Sequence, residues 1–316
     1  MRAWQGGAAF TVCVLLILAE TAAGAIYWTD LEGMQYGNYG TIKRADADGS
    51  NVQGVMAGLS HPRGMALDSS GGKMYWAEPG LSAIRRANLD GTDVETVVSD
   101  GQDGTAGVAV DAVGGKFYWT DSNSSLTNGK IRRANLDGSN SEVLVTAGLL
   151  HPAAIALDTL HGKMYWTDVE GNLNGTGSIR RANLNGSNVE ILLKGVDEAN
   201  GLAVDPVGGK IYWPDLATGR IQRANLDGAD AEDLMLGLDT PTTIGLDLSE
   251  GKMYWTDSGF GGQVNRIERA GLDGSGREVI VSGIGFPWGI AVVPEPSTAL
   301  LVMAGVSVLL RRRSRA

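Results

Sequence analysis

Tyr27-Trp28-Thr29-Asp30 opens a pattern that returns five times, at Tyr75-Trp76-Ala77-Glu78, Tyr118-Trp119-Thr120-Asp121, Tyr165-Trp166-Thr167-Asp168, Tyr212-Trp213-Pro214-Asp215 and Tyr254-Trp255-Thr256-Asp257. From one Tyr to the next the steps are 48, 43, 47, 47 and 42 residues. A period in the forties with several short strands per unit is the signature of a β-propeller, one blade per copy. An apolar run precedes each Tyr-Trp strand (Gly64 to Asp68, Gly107 to Asp111, Ala154 to Asp158, Gly201 to Asp205, Thr243 to Asp247). It leads in through a tight turn such as Gly71-Gly72-Lys73. A third piece follows, as at Ile131-Arg132-Arg133-Ala134-Asn135-Leu136, and an Asp-Gly or Asn-Gly turn joins it to a fourth, such as Glu142 to Val145. The predicted fold is therefore all-β, a six-bladed propeller of four-stranded antiparallel blades.

The repeats are out of step at the two ends. No apolar run precedes Tyr27, and Gly289 to Val293 has no Tyr-Trp strand after it. Pairing Gly289 to Val293 with Ile26 to Asp30 builds one blade from both ends and removes two sheet edges. The propeller is thus expected over residues 26–293.

Glycine is abundant, 46 of 316 residues, but it falls at fixed places in the repeat and signals turns. The single cysteine, Cys13, lies in the N-terminal apolar stretch, so no disulfide is expected in the body. Setting aside Arg2, the four terminal arginines, Glu20 and Glu295 leaves 21 basic against 34 acidic residues, a balance of −13. That sign excludes nucleic acid as a natural partner.

Residues 1–25 read as a secretory signal peptide: Arg2, an apolar run from Ala8 to Ala19, and a small-residue cleavage site at Ala23-Gly24-Ala25. At the other end Pro294-Glu295-Pro296 precedes an apolar run from Ala299 to Leu310 and the cluster Arg311-Arg312-Arg313-Ser314-Arg315. A dozen helical residues reach about 18 Å, short of the ~30 Å hydrocarbon core. Residues 294–316 therefore suit transient membrane insertion of a sorting tail, with a plain C-terminal anchor as the alternative. The tail resembles the PEP-CTERM signal of exopolysaccharide-making bacteria. That resemblance implies export, an exosortase-type processing enzyme as partner, a membrane-anchored stage before tail cleavage, and delivery to the cell surface or extracellular matrix.

The body, with Gly-x-Ala-x-Asp ahead of the Tyr-Trp-Thr-Asp strand and Arg-Ala-Asn-Leu-Asp-Gly behind it, resembles low-density lipoprotein receptor class B repeats, which form six-bladed propellers. The departures are Ala77-Glu78 in the second copy and Pro214 in the fifth. The cysteine-rich modules that accompany such propellers in animals have no counterpart here, so those relatives' partners do not carry over.

Successive strand side chains face opposite ways, so each Tyr-Trp pair puts one aromatic on either side of its blade. These twelve rings are expected to seal the blade interfaces. The fourth-position acids (Asp30, Glu78, Asp121, Asp168, Asp215, Asp257) recur in register with the arginines of the third strand (Arg44, Arg86, Arg133, Arg181, Arg223, Arg269). Buried charges require partners, and pairing these two sets is the expectation, on which Arg133 matters far more to stability than Arg132. Asp68, Asp111, Asp158, Asp205 and Asp247 end the innermost strands before tight turns and read as turn formers, with Ca²⁺ near the axis as the alternative. The Asp46-Ala47-Asp48-Gly49-Ser50-Asn51 segment reads as a hairpin turn like its equivalents. No cofactor is otherwise expected.

Recognition belongs where the copies differ. Between the acid and the third-strand Ile the connections run 11, 5, 9, 10, 5 and 9 residues, and they share one face with the loops entering the innermost strands. Around the axial mouth on that face fall Arg63, Ala106, Ala153, Asn200, Thr242 and Trp288. With Phe286, Tyr36, Tyr39 and Phe260 they make a partly aromatic surface of the kind that anchors interfaces. His61, His151 and His161 read as loop residues, and no nucleophile-base constellation or metal spacing appears. The reading is an exported binding or scaffold module for a protein or exopolysaccharide. A metal-assisted hydrolase or lyase at the same mouth, drawing on Asn200 and Glu198, is the alternative.

Overall fold

Each Tyr-Trp strand has a strand on both sides of it, and the result is six four-stranded antiparallel sheets. The computed structural model describes residues 24–31, 39–99, 104–122, 129–169, 177–196, 198–259 and 264–294. Tyr36, Phe260, residues 1–23 of the expected leader and the tail beyond Pro294 lie outside the described residues, as does the side chain of Tyr39.

Blade I consists, from the axis outward, of Phe286–Val293, Ala25–Leu31, Tyr39–Asp46 and Gln53–Ser60. Blade II has Met65–Asp68, Lys73–Glu78, Ala83–Asn88 and Glu95–Ser99; blade III has Thr105–Asp111, Lys116–Asp121, Lys130–Asn135 and Glu142–Val145. Blade IV follows with Pro152–Asp158, Lys163–Asp168, Ser178–Asn183 and Glu190–Lys194. Blade V has Ala203–Asp205, Lys210–Asp215, Arg220–Asn225 and Glu232–Met235. Blade VI has Pro241–Asp247, Lys252–Asp257, Arg266–Gly271 and Glu278–Ser282. One short 3₁₀ turn, Pro79–Leu81, is the sole helical element among the described residues.

The closure occurs as the sequence implies. Ala25 pairs with Val293, Tyr27 with Ala291 and Leu31 with Phe286, so the first and last described strands share blade I. Ala25 itself is buried between Asp46 and Val293, so the strand begins one residue before the expected boundary.

The aromatic pairs divide as strand geometry requires. Tyr118 of blade III and Trp166 of blade IV lie in one buried cluster with Ile131, Ile155 and Met164. Tyr165 meets Trp213, Tyr212 meets Trp255, Tyr27 meets Trp76, and Tyr75 meets Trp119 in the same way. Tyr254 and Trp28 share the cluster that joins blade VI to blade I. Each ring buries about 150–250 Å², worth roughly 4–6 kcal/mol as an upper figure. The interfaces between blades are therefore the core.

Four glycines let the innermost strands close on the axis. A Cβ on Gly64 would sit 2.5 Å from the Ala106 carbonyl oxygen, one on Gly107 2.5 Å from that of Ala153, and one on Gly289 2.4 Å from that of Arg63. On Gly201 it would meet the Thr243 Cα at 2.6 Å.

Candidate functional site

The mouth of the axial channel is held open and in register by the threonine of the Tyr-Trp-Thr-Asp strand. Thr120 Oγ1 accepts from the Gly107 N–H of its own blade at 2.7 Å and donates to the Ala153 carbonyl of the next at 2.7 Å. Thr29 does the same with Gly289 N–H at 2.8 Å and the Arg63 carbonyl at 2.9 Å. Thr256 accepts from Thr243 N–H at 3.1 Å and donates to the Trp288 carbonyl at 3.0 Å. Thr167 accepts from Ala154 N–H at 3.0 Å. Each such blade carries a register shift where its innermost strand passes the threonine. The two departures explain themselves. Ala77 has no hydroxyl, and its backbone bonds Arg63 and Gly64 directly, at 2.9 and 3.0 Å. Pro214 has no N–H to donate, so the innermost strand of blade V is paired only from Ala203 to Asp205. The carbonyls so fixed belong to Arg63, Ala153 and Trp288, which line the mouth.

The pairing of acids with Arg44, Arg86, Arg133, Arg181, Arg223 and Arg269 is not what the structure shows. The acids pair with other cations: Asp30 with Lys43 (3.0 Å), Glu78 with Arg85 (3.2 Å), Asp121 with Arg132 (3.4 Å) and Asp168 with Arg180 (3.0 Å). Asp215 takes Arg220 at 3.3 Å and Asp257 takes Arg266 at 3.0 Å. Strand parity is the reason. The fourth position shares the Trp face, and the residue opposite Trp119 is Arg132, whereas Arg133 stands opposite Tyr118.

The same carboxylates also clamp the loop that enters their blade's innermost strand. Asp168 accepts from the N–H groups of Leu150 and His151, Asp257 from Asp239 and Thr240, Glu78 from Ser60, and Asp30 from Gly285.

The arginines tie neighbouring blades instead. Arg86 donates to the Leu136 carbonyl (2.5 Å), Arg133 to Leu184 (3.1 Å), Arg181 to Leu226 (2.8 Å), Arg223 to Leu272 (3.0 Å) and Arg269 to Ala47 (2.8 Å). Each of the five also grips an outer-strand glutamate, as Arg133 does Glu142 at 2.6 Å. Arg44 lies over the Tyr27 ring at 5.8 Å. Burial pushes the phenols of Tyr75, Tyr165, Tyr212 and Tyr254 up, against the pull of the arginine beside each.

The turn aspartates keep their carboxylates for their own turns. Asp68 Oδ1 accepts from Gly71 N–H at 2.7 Å, Asp111 from Gly114 at 2.7 Å, Asp158 from His161 at 2.9 Å, Asp205 from Gly208 at 2.7 Å and Asp247 from Ser249 at 2.9 Å. The Asp46 to Asn51 segment closes as a hairpin turn, with Ser50 N–H on Asp48 at 2.9 Å. Thr92, Ser139, Ser187, Ala229 and Ser275 repeat that bond in the other blades.

The mouth is an open depression lined from all six blades. Arg63, Ala106, Ala153, Asn200 and Trp288 reach it as expected, and the residue from blade VI is Thr243 rather than Thr242. The register shift between Pro241 and Ile244 turns Thr242 inward, where its hydroxyl bonds the Thr240 carbonyl and Ser258. Phe286 lies beside Trp288, its ring tilted by 32° with 6.0 Å between ring centres. Arg63 lies over the Trp288 ring, 5.4 Å from guanidinium carbon to centroid. His151, which sequence reading placed in a loop, also lines the mouth, because Asp168 pins its backbone there. Burial first, then the charge of Arg63, holds its imidazole below the usual histidine range. No carboxylate is among the lining residues, and Glu198 is not part of the wall. Among the described residues no group of three or more His, Cys, Asp and Glu stands in a metal-holding arrangement.

Six closely similar interfaces around a mouth whose side chains vary from blade to blade define a β-propeller of the Tyr-Trp-Thr-Asp class. The family model for low-density lipoprotein receptor repeat class B matches residues 115–159 and 162–206, so the chain carries repeats of that class. Low-density lipoprotein receptor-related protein 1 of Pyricularia oryzae is 33% identical over 89 residues, 27% of this chain and 29% of that protein. Nidogen-2 of Mus musculus is 39% identical over 70 residues, 22% of this chain and 5% of that protein. The alignments thus take in under a third of these relatives. Among solved structures, a chain of a nidogen/laminin complex superposes with a TM-score of 0.72 at 23% identity, covering 86% of this chain and 99% of that one. TolB from Acinetobacter baumannii gives 0.69 at 15% identity, covering 86% of this chain and 67% of its own. At such identities these likenesses speak for the fold.

Proposed function

We propose that the protein is an exported recognition module that binds a protein partner at the cell surface or in the extracellular matrix through the mouth and loops of one propeller face. One observation carries this reading. The repeat keeps its aromatics, acids and turn aspartates nearly constant, yet the mouth presents Arg63, Ala106, Ala153, Asn200, Thr243 and Trp288, five residue types from six blades. A scaffold that repeats what stabilises it and varies what it displays at one end is built for recognition. The class B repeats and the likeness to a structure of nidogen with laminin agree with a protein as the partner. A hydrolase or lyase working through a metal would need acidic ligands at the mouth, and its wall supplies one histidine and one asparagine instead.

The leader and the Pro294-Glu295-Pro296 tail extend the proposal: export through the general pathway, transient insertion of residues 299–310, and processing by an exosortase-type enzyme. The test is capture of surface-fraction proteins and extracted exopolysaccharide on the purified protein and on Trp288→Ala. A specific protein retained by the parent and lost by the variant supports the reading. Equal capture by both, or stoichiometric tightly held metal with turnover of a lactone, overturns it.

A further inference from the structure

The guanidinium of Arg63 is a feature of the mouth that the fold does not use for an ion pair. Among the described residues it has no carboxylate within ion-pair distance, whereas Arg85, Arg133, Arg180 and Arg223 each have one. It is carried on Trp288, itself fixed through its carbonyl by Thr256 and Thr243. The Arg63 carbonyl is fixed by Thr29 and its N–H by Ala77. The anchor points of both residues are therefore set before any partner arrives. Burial pulls the Arg63 pKa down, the mark of a cation that has lost water without gaining a counter-charge. Burial, and then the same charge, hold the His151 imidazole across the mouth below the usual histidine range, and Asn200 completes a wall with donors and no acidic group.

We propose that Arg63, backed by Trp288, makes the axial mouth a receptor for a single carboxylate, the side chain of an aspartate or glutamate on a protein partner. This rests on the reading of this face as the recognition surface. A planar guanidinium placed over an indole and free of any protein carboxylate can offer two parallel N–H···O bonds, the geometry that carboxylates match. The body's balance of −13 sets the scale of the partner. A polyanionic chain such as a polyuronate is repelled by that field at every residue except the one at the mouth. A protein loop that offers one acid among neutral residues is not.

The experiment is a titration of the ¹⁵N-labelled protein with N-acetyl-aspartic acid amide, and in parallel with the asparagine analogue, following the Trp288 indole N–H and the His151 ring. The expected result is saturable shifts for the aspartate compound with a dissociation constant on the order of millimolar. The asparagine compound should bind about tenfold more weakly or worse. Saturation should also raise the His151 pKa, since the bound carboxylate offsets Arg63 and leaves Asp168 as the other charge acting on the ring. Arg63→Gln should erase the preference for aspartate, and Arg63→Lys should keep part of it, which separates loss of charge from loss of fold. Equal shifts by both compounds, or no shift by either at about ten times that concentration, overturn the carboxylate site. Either result leaves the face itself to the Trp288→Ala capture experiment. Tighter, Arg63-dependent binding of a trigalacturonate would also overturn it, in favour of an acidic polysaccharide.

Discussion

Trp76 donates its indole N–H to Glu78 Oε2 at 3.1 Å, a bond that the aspartate-bearing blades do not make. Trp28, Trp119, Trp166 and Trp255 have fully buried indole N–H groups with no protein acceptor, and in blade V Gln222 supplies one for Trp213 at 3.0 Å. One methylene separates the two situations. Glu78→Asp should bring blade II to the state of its neighbours and cost about 2 kcal/mol, a hydrogen bond to a charged acceptor. A thermal melt or urea midpoint indistinguishable from the parent would show the bond has no net value.

Asp168 is nearly inaccessible and meets Arg180, whose guanidinium also holds the Gly148 carbonyl at 2.7 Å. Arg181 reaches the Leu226 carbonyl and the half-exposed Glu190. Removing Arg180 strands a buried carboxylate that retains only backbone donors, whereas removing Arg181 frees a glutamate already in water. Arg180→Met should therefore destabilise by about 3 kcal/mol and Arg181→Met by about 1 kcal/mol. Chemical denaturation of the two variants decides, and the reverse order would return the arginine of the Tyr face to the role first expected of it.

Thr120→Val keeps shape and removes the bridging hydroxyl, leaving the Gly107 N–H and the Ala153 carbonyl without it. The expected loss is about 1–3 kcal/mol. Slowed exchange at the Gly107 amide, or no change in stability, would remove the threonine from the structural account.

Asp90, Asp137 and Asp273 accept from the hydroxyl and then the backbone N–H of Thr92, Ser139 and Ser275, and those bonds hold their carboxyls below the ordinary aspartate range. A depressed folded pKa means stability that is complete above the unfolded value, near pH 4, and is lost as pH falls through the folded one. These turns contribute to acid sensitivity below about pH 4. Asn185 makes the same bonds to Ser187 without a charge, at 3.1 and 2.7 Å. The triple variant Asp90→Asn, Asp137→Asn, Asp273→Asn should flatten the acid limb of melting temperature against pH while leaving the neutral value within a degree or so. An unchanged limb would place the acid sensitivity elsewhere.

Deleting residues 284–293 removes the innermost strand of blade I and with it the partner of Ala25 to Leu31. The loss should spread, because that strand also packs on the innermost strands of blades II and VI. The truncated protein should lose cooperative melting altogether; a transition like the parent's would mean the ring holds without its clasp.

Much of this was legible in the residues. The spacing of Tyr-Trp pairs announces the blades, and period-two geometry sends Tyr118 and Trp119 to different interfaces. The same parity also forbids an Asp121–Arg133 pair, so that misassignment was avoidable. The threonine bridges were less accessible, since one end of each lies on a neighbouring blade some thirty residues away along the chain, or across the closure. The joint oddity of Ala77 and Pro214 was their trace. His151 comes to the mouth because a carboxylate seventeen residues on captures its backbone, a placement no local pattern encodes.

The pairing of Tyr27 with Ala291 has a temporal meaning as well. The first strand of the body to be synthesised finds its inner partner only when the last has been made, so blade I stays incomplete through the whole of translation. Contacts this distant along the chain also slow folding. Any product cut short before residue 286 remains an unclosed arc with bare strand edges, which a protease can distinguish from the finished ring.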